Sequence, residues 1–210
     1  MIVLPEPRGS RMGTKGTGKN LRILILGDSA AAGVGVAHQN QALLGQLIGN
    51  LTDDYCVFWE LDAETGATTY QTFTSLENKI GINQFDVVIT SLGVNDVTSN
   101  ISLPKWLKLQ NLLHEMCFKK FNSQLVIVTE LPPMGKFPAL PQPLRWYLGR
   151  RATQLNQALE KLVSYNSKLV YLSIGSMKNK NTMASDGFHP GEKVYQQWAK
   201  TAAAIIKSKF

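Results

Sequence analysis

The sequence predicts a three-layer α/β/α sandwich built around a five-stranded parallel sheet. Three observations carry this expectation. Short runs rich in Val, Ile and Leu alternate with longer stretches of helical periodicity from Leu21 to the C-terminus, the pattern of strands buried on both faces and joined by crossover helices. The 210 residues, 44% hydrophobic and 18% charged, suit one domain with a substantial core. Five strand–helix units in succession give a doubly wound, flavodoxin-like sheet in the order 2-1-3-4-5.

The elements follow in order. Residues 1–20 are rich in Gly, Pro and basic groups without periodicity; they read as a tail that wraps the surface of a domain spanning 21–210. Strands are expected at 21–27, 55–60, 85–91, 124–130 and 168–172. Helices are expected at 37–51, 68–80, 104–121, 144–165 and 191–208. Pro104 opens the third of these, where a missing N–H costs little, and Leu107, Leu112, Leu113 and Met116 give it an apolar face. Val194, Trp198, Ala202 and Ile205 recur at helical spacing in the last. Two connections are long: 131–143, with five prolines, and 173–190. Long loops in compact domains are more often functional than incidental.

Charge narrows the partner classes. The net charge is +7, but residues 1–22 contribute +4 and residues 191–210 contribute +3, while the 13 basic and 13 acidic residues between them cancel. The excess sits on the two ends, which suits peripheral contact with an anionic membrane surface. No nucleic-acid motif accompanies it, so no nucleic-acid partner is expected. Cys56 and Cys117 read as small buried hydrophobes. His38 and His114 read as surface or boundary residues, and three histidines without paired spacing predict no metal. The oligomeric state has no sequence signal.

Right-handed crossovers put every strand-to-helix loop at one edge of the sheet. Along that edge the chain offers Gly27-Asp28-Ser29, Thr65-Gly66-Ala67, Gly93-Val94-Asn95-Asp96 and Asp186-Gly187-Phe188-His189. Alone, Ser29 is a nucleophile, a phosphate ligand or a helix cap. Together the segments supply a hydroxyl, an imidazole with a carboxylate three residues upstream, an amide and accessible glycine N–H groups. Acyl transfer needs that set: a nucleophile, a base, a group to orient the base, and oxyanion donors. Gly33 and Gly35 lack the remainder of a dinucleotide fingerprint, and no cofactor is expected.

These four segments, in this order, resemble the four blocks of the SGNH (GDSL-type) serine hydrolases. The start Leu4-Pro5-Glu6-Pro7-Arg8, the run from Ala31 to Val36 and the proline loop resemble a bacterial esterase subgroup of that family. The resemblance implies that Ser29 is the nucleophile, His189 the base and Asp186 its orienter. It implies that the oxyanion donors are the N–H groups of Ser29 and Gly66 and the amide of Asn95. Asp28 then braces its loop rather than entering the triad, and Asp96 is structural. Ala30 stands where the four-letter motif has Leu. Phe137, Leu140 and Trp146, in or beside the proline loop, are candidate substrate-pocket walls. The expected activity is hydrolysis of short-acyl carboxylic esters, a small-molecule substrate class. A thioesterase, a lysophospholipase and a carbohydrate O-deacetylase use the same site; a non-catalytic flavodoxin-like binding module is the reading from another class. The compartment stays open: cytoplasmic by default, membrane-associated or periplasmic if a hydrophobic segment lies upstream, as in some members of that subgroup.

Overall fold

Five parallel strands form the body of a six-stranded sheet in a computed structural model that describes residues 3–79, 84–175 and 182–210. The strands are β1 (Met12–Lys15), β2 (Lys19–Gly27), β3 (Tyr55–Ala63), β4 (Val87–Ser91), β5 (Leu125–Thr129) and β6 (Leu169–Leu172), in the order β1-β3-β2-β4-β5-β6. Without β1 this is the expected 2-1-3-4-5 order. All residues of β4 and β5 are buried, as is the stretch Ile23–Gly27 of β2, because helices cover both faces.

The sixth strand corrects the expectation of five. β1 runs antiparallel to β3 at the sheet edge, with Met12 opposite Glu60 and Lys15 opposite Val57. All four of its residues are exposed, so no apolar alternation announces it. Gly13 lies under the Trp59 ring, where a Cβ would come within 2.5 Å of it. The link back to β2 passes over the turn before β3. Gly16 and Gly18, at φ +93° and +104°, approach the carbonyl oxygens of Tyr55 and Asp54 more closely than any Cβ permits. Part of the segment read as a tail therefore belongs to the sheet.

The helices are α1 (Ser29–Ala32), α2 (Leu43–Leu51), α3 (Thr69–Asn78), α4 (Val94–Thr98), α5 (Leu103–Phe121), α6 (Leu144–Ser164) and α7 (Glu192–Lys207). α2 packs against α7 in one layer, and α3, α5 and α6 follow one another in the other. The short α1 and α4 have no sequence periodicity to announce them. The helix expected at 37–51 starts only at Leu43, because Arg8 pairs with the preceding backbone: its N–H donates to Ala37 O at 3.0 Å, and its carbonyl accepts from the Gln39 N–H at 2.8 Å. Residue 80, at the end of the helix expected at 68–80, and residues 176–181 of the connection 173–190 lie outside the described residues.

His114 corrects another expectation. It is buried in α5, and neither ring nitrogen has a hydrogen-bond partner among the described residues. Burial pushes its pKa down from 6.5 to about 4. The unfolded chain therefore takes up this proton first. The contribution of the neutral ring is complete above pH 6.5 and is lost as pH falls toward 4, by about 3 kcal/mol at most. Asp28 acts in the opposite sense: burial pushes its carboxyl up to about 7, so acidification toward pH 3.8 favours the fold. A His114→Leu variant separates the two effects. Its urea midpoint should rise relative to the wild type between pH 7 and pH 4.5; a constant difference would remove His114 from this role.

Candidate active site

The carboxyl ends of β2, β3 and β4 and the loop before α7 converge on Ser29. β2 ends at Gly27, where a Cβ would lie 2.4 Å from the Ala31 side chain and 2.6 Å from Ser91 O. The chain can turn sharply only because that atom is absent. Asp28 caps α1, its carboxylate accepting from the Ala30 N–H at 3.0 Å. Asp28 is thus a brace, as its position in the turn suggests. Ser29 occupies the first helical position, where the backbone N–H has no carbonyl ahead of it within the helix.

His189 reaches Ser29 from the other end of the chain. Its Nε2 lies 3.0 Å from Ser29 Oγ, and its Nδ1 lies 2.5 Å from Asp186 Oδ2. The other carboxylate oxygen, Oδ1, accepts from the backbone N–H groups of Phe188 at 2.9 Å and His189 at 3.0 Å. Gly187, at φ +65°, lets the chain fold back within three residues. Burial raises the pKa of Asp186, but hydrogen bonds from the His189 ring and from the His189 and Phe188 N–H groups outweigh it, and the net shift is downward. The acid stays a carboxylate, which holds the proton of a neutral imidazole on Nδ1 and leaves Nε2 free to accept.

Gly35 explains how the two segments meet. A Cβ there would lie 2.2 Å from Pro190 O, so the bare backbone after α1 admits the residue that follows His189. Tyr195 of α7 fastens the same junction, its hydroxyl donating to Val34 O at 2.7 Å.

Two further donors are linked to each other. Gly66 sits in a turn closed by the Ala67 N–H donating to Glu64 O at 3.1 Å, with φ +87° and open space where a side chain would be. Asn95, in α4, donates from Nδ2 to Ala67 O at 2.9 Å. One amide hydrogen thus ties Asn95 to the Gly66 turn. Asp96, also buried, accepts from the Thr69 N–H at 3.1 Å and its hydroxyl at 2.8 Å; that hydroxyl in turn accepts from Gln110 at 2.9 Å. The carboxylate at the amino end of α3 suits the helix dipole, and the network holds the Asn95 and Gly66 segments together.

A second brace has no sequence signal. Glu6 accepts from the Thr65 N–H at 3.1 Å and the Thr65 hydroxyl at 2.8 Å, and Arg11 pairs with the other Glu6 oxygen at 3.2 Å. Arg11 also donates to Ala63 O. The N-terminal segment therefore clasps the turn that carries Gly66.

A cavity of about 30 Å³ opens beside Ser29 and His189. Its apolar walls are Val94, Pro132, Phe137, Ile174, Phe188 and Trp198. Phe137 is the one expected wall residue found there, and Phe188 meets it edge-on at 5.0 Å between centroids. Leu140 is half-buried and Trp146 is 59% exposed; neither borders the cavity. Among the described residues, no cluster of three or more His, Cys, Asp or Glu side chains is placed to hold a metal ion.

The site can therefore pass a proton from the Ser29 hydroxyl to His189 Nε2. Comparison with known proteins agrees with this chemistry. The model of the GDSL-like lipase/acylhydrolase family matches residues 25–197. A search of curated proteins found no match. Among solved structures, a member of the lipolytic protein G-D-S-L family from Veillonella parvula superposes with a TM-score of 0.71 at 15% identity, over 89% of this chain and 98% of that one. The aryl esterase of M. smegmatis gives 0.68 at 19% identity, over 90% and 100%. Est24, a carbohydrate acetylesterase from Sinorhizobium meliloti, gives 0.64 at 17%, over 90% and 100%.

Proposed function

Since the chain belongs to the GDSL-like lipase/acylhydrolase family and is a carboxylic-ester hydrolase, we propose that it cleaves short-acyl esters through an acyl-enzyme on Ser29. The single observation that carries this reading is the unbroken chain of hydrogen bonds Asp186–His189–Ser29, at 2.5 and 3.0 Å, ending at a small apolar cavity. In the first step Ser29 Oγ bonds to the ester carbonyl carbon while its proton passes to His189 Nε2. The tetrahedral oxyanion is held by the N–H groups of Ser29 and Gly66 and by the Asn95 amide. The bond to the alkoxy oxygen then breaks, and the imidazolium returns the proton to the leaving alcohol. Water repeats the sequence on the acyl-enzyme, His189 again taking the proton, and the carboxylic acid leaves.

The acyl preference rests on size. One water-sized sphere needs about 10–15 Å³ by this measure, so a cavity of about 30 Å³ takes a few heavy atoms, the scale of acetyl or propionyl. Hydrolysis of p-nitrophenyl acetate, butyrate and octanoate tests it. The kcat/KM should fall by about tenfold or more from acetate to octanoate; equal values would refute the short-acyl assignment. An O-acetylated carbohydrate is the second reading, favoured by the same acetyl-sized cavity. Release of acetate from an acetylated sugar at a kcat/KM above that for p-nitrophenyl acetate would favour it.

Asn95→Ala removes one of the three oxyanion donors and should lower kcat by about 10²–10³ with little change in KM. The loss appears in kcat because the donor acts where negative charge develops. A rise in KM alone would move Asn95 from the oxyanion to ground-state binding.

A further inference from the structure

Eight large apolar side chains stand exposed among the described residues, and five belong to one edge of the molecule: Tyr70, Leu103, Leu144, Trp146 and Tyr147. They lie in the first turns of α3, α5 and α6. Each of those helices follows the carboxyl end of a parallel strand, through a loop of varying length, so all three begin at the edge where Ser29 lies. Single exposed apolar residues are ordinary, whereas a cluster on one edge marks an interaction surface.

The charge around the cluster has one sign. Residues 131–159 contain Lys136, Arg145, Arg150 and Arg151 and no acid; the Arg151 guanidinium is turned inward, donating to Ile101 O, which leaves Lys136, Arg145 and Arg150 to the surface. Exposed Lys105 and Lys108 follow on α5, and the Arg150 guanidinium lies over the Trp146 ring at 5.8 Å from its centroid. Two exposed acids share the edge but lie outside the proline loop, α5 and α6. Glu192 begins α7 in the opposite helical layer, and Glu64 lies in the turn clasped by the N-terminal segment. The patch is also joined to the reactive loop. Ala139 donates to Gly187 O at 3.3 Å, and Phe137 packs on Phe188 next to His189.

We propose that this edge is a docking surface for an anionic phospholipid bilayer, with Leu144, Trp146 and Tyr147 entering the headgroup region and the basic residues of the loop, α5 and α6 meeting lipid phosphates. Trp and Tyr favour that boundary because each pairs an apolar ring with a polar group, and cations near an anionic leaflet add attraction. The surface differs from the basic chain ends. Its further consequence rests on the esterase reading: Ser29 would face the lipid, so esters presented at the interface are within its reach. Docking itself is independent of catalysis, and its test leaves that reading untouched.

The experiment uses the full chain carrying Ser29→Ala, with vesicles of phosphatidylcholine alone or mixed with phosphatidylglycerol. The protein should sediment with the mixed vesicles and at least about tenfold less with phosphatidylcholine, and added salt should release it. Of the four tryptophans, Trp106 and Trp198 are fully buried and Trp59 is half-buried against Gly13 at the β1 edge of the sheet, so exposed Trp146 should dominate a blue shift of emission on binding. The shift should shrink sharply in Trp146→Phe. Leu144→Ser/Tyr147→Ser should weaken binding about tenfold or more, and Arg150→Gln about fivefold on mixed vesicles. Failure to bind mixed vesicles would overturn the proposal. So would undiminished binding of the Leu144/Tyr147 variant, which would point to the chain ends. So would a solution dimer by sedimentation equilibrium that protects Trp146 from acrylamide quenching, since a second copy would then cover the patch.

Discussion

Ser29→Ala is expected to lower kcat for p-nitrophenyl acetate by about 10⁴–10⁶ while leaving the fold intact. The loss is large because, among the described residues, Ser29 is the hydroxyl hydrogen-bonded to His189; Ser91, which also lines the cavity, has no such bond. The remaining rate would come from the oxyanion donors and from substrate positioning alone. The fold should survive because Ser29 does not cap α1; Asp28 does, through the Ala30 N–H. At the first helical position alanine is a good helix former, and the hydroxyl's remaining bond is the one to His189. The melting temperature should therefore stay within about 2 °C of the wild type. A fluorophosphonate should label the wild type once, at Ser29, and leave the variant unlabelled. Removing His189 as well should cost little more, since nucleophile and base act as a unit. A Ser29→Ala enzyme retaining more than about a hundredth of the wild-type rate, or labelled elsewhere, would transfer the chemistry to another residue.

What the sequence disclosed follows a physical division. The parallel strands were legible because burial on both faces demands unbroken Val, Ile and Leu, as in Val87–Ile89 and Leu125–Val128. β1 was not, because an exposed edge strand makes its backbone bonds to β3 without any apolar requirement. At the site, Ser29, Asn95, Asp186 and His189 stood out because Gly-Asp-Ser, Gly-x-Asn-Asp and Asp-x-x-His are short local patterns that resemble hydrolase blocks. The braces did not. Glu6 meets Thr65 and Asp96 meets Thr69 across long stretches of chain, and a carboxylate that holds a distant turn looks like any surface acid until the fold brings the two together. The proline loop shows the same limit. Its prolines disclose stiff backbone but not which way side chains face, so Phe137 lines the cavity while Leu140 and Trp146 do not. His114 shows the limit again: a lone imidazole at helical spacing carries no mark of whether its face is buried.

Asp186→Asn should lower kcat by about 10⁴ through a conflict visible in the hydrogen bonds of the loop. Oδ1 accepts from two backbone N–H groups, those of Phe188 and His189, and Oδ2 accepts from the imidazole Nδ1–H. A carboxylate satisfies all three donors, whereas an amide has one acceptor end. If the Asn oxygen stays with the two backbone donors, its NH₂ faces Nδ1, which must then give up its proton and accept. The ring shifts to the tautomer with the proton on Nε2, where it points at Ser29 Oγ and cannot take the hydroxyl proton. If the amide turns the other way, the ring keeps its tautomer, but two backbone donors face an NH₂ group in a loop where the Asp186 side chain is only 2% exposed. Two hydrogen bonds outweigh one, so the first arrangement is favoured and the base is lost. The signature is a fall in kcat with KM nearly unchanged, together with a rate that rises steeply toward alkaline pH as hydroxide substitutes for the missing base. Asp186→Glu offers a control, because it keeps the charge and both acceptors but displaces them by one methylene. Its activity should lie between those of the wild type and Asp186→Asn. An Asn variant within tenfold of the wild type would mean that the loop backbone alone, and not the carboxylate, sets the orientation and protonation of His189.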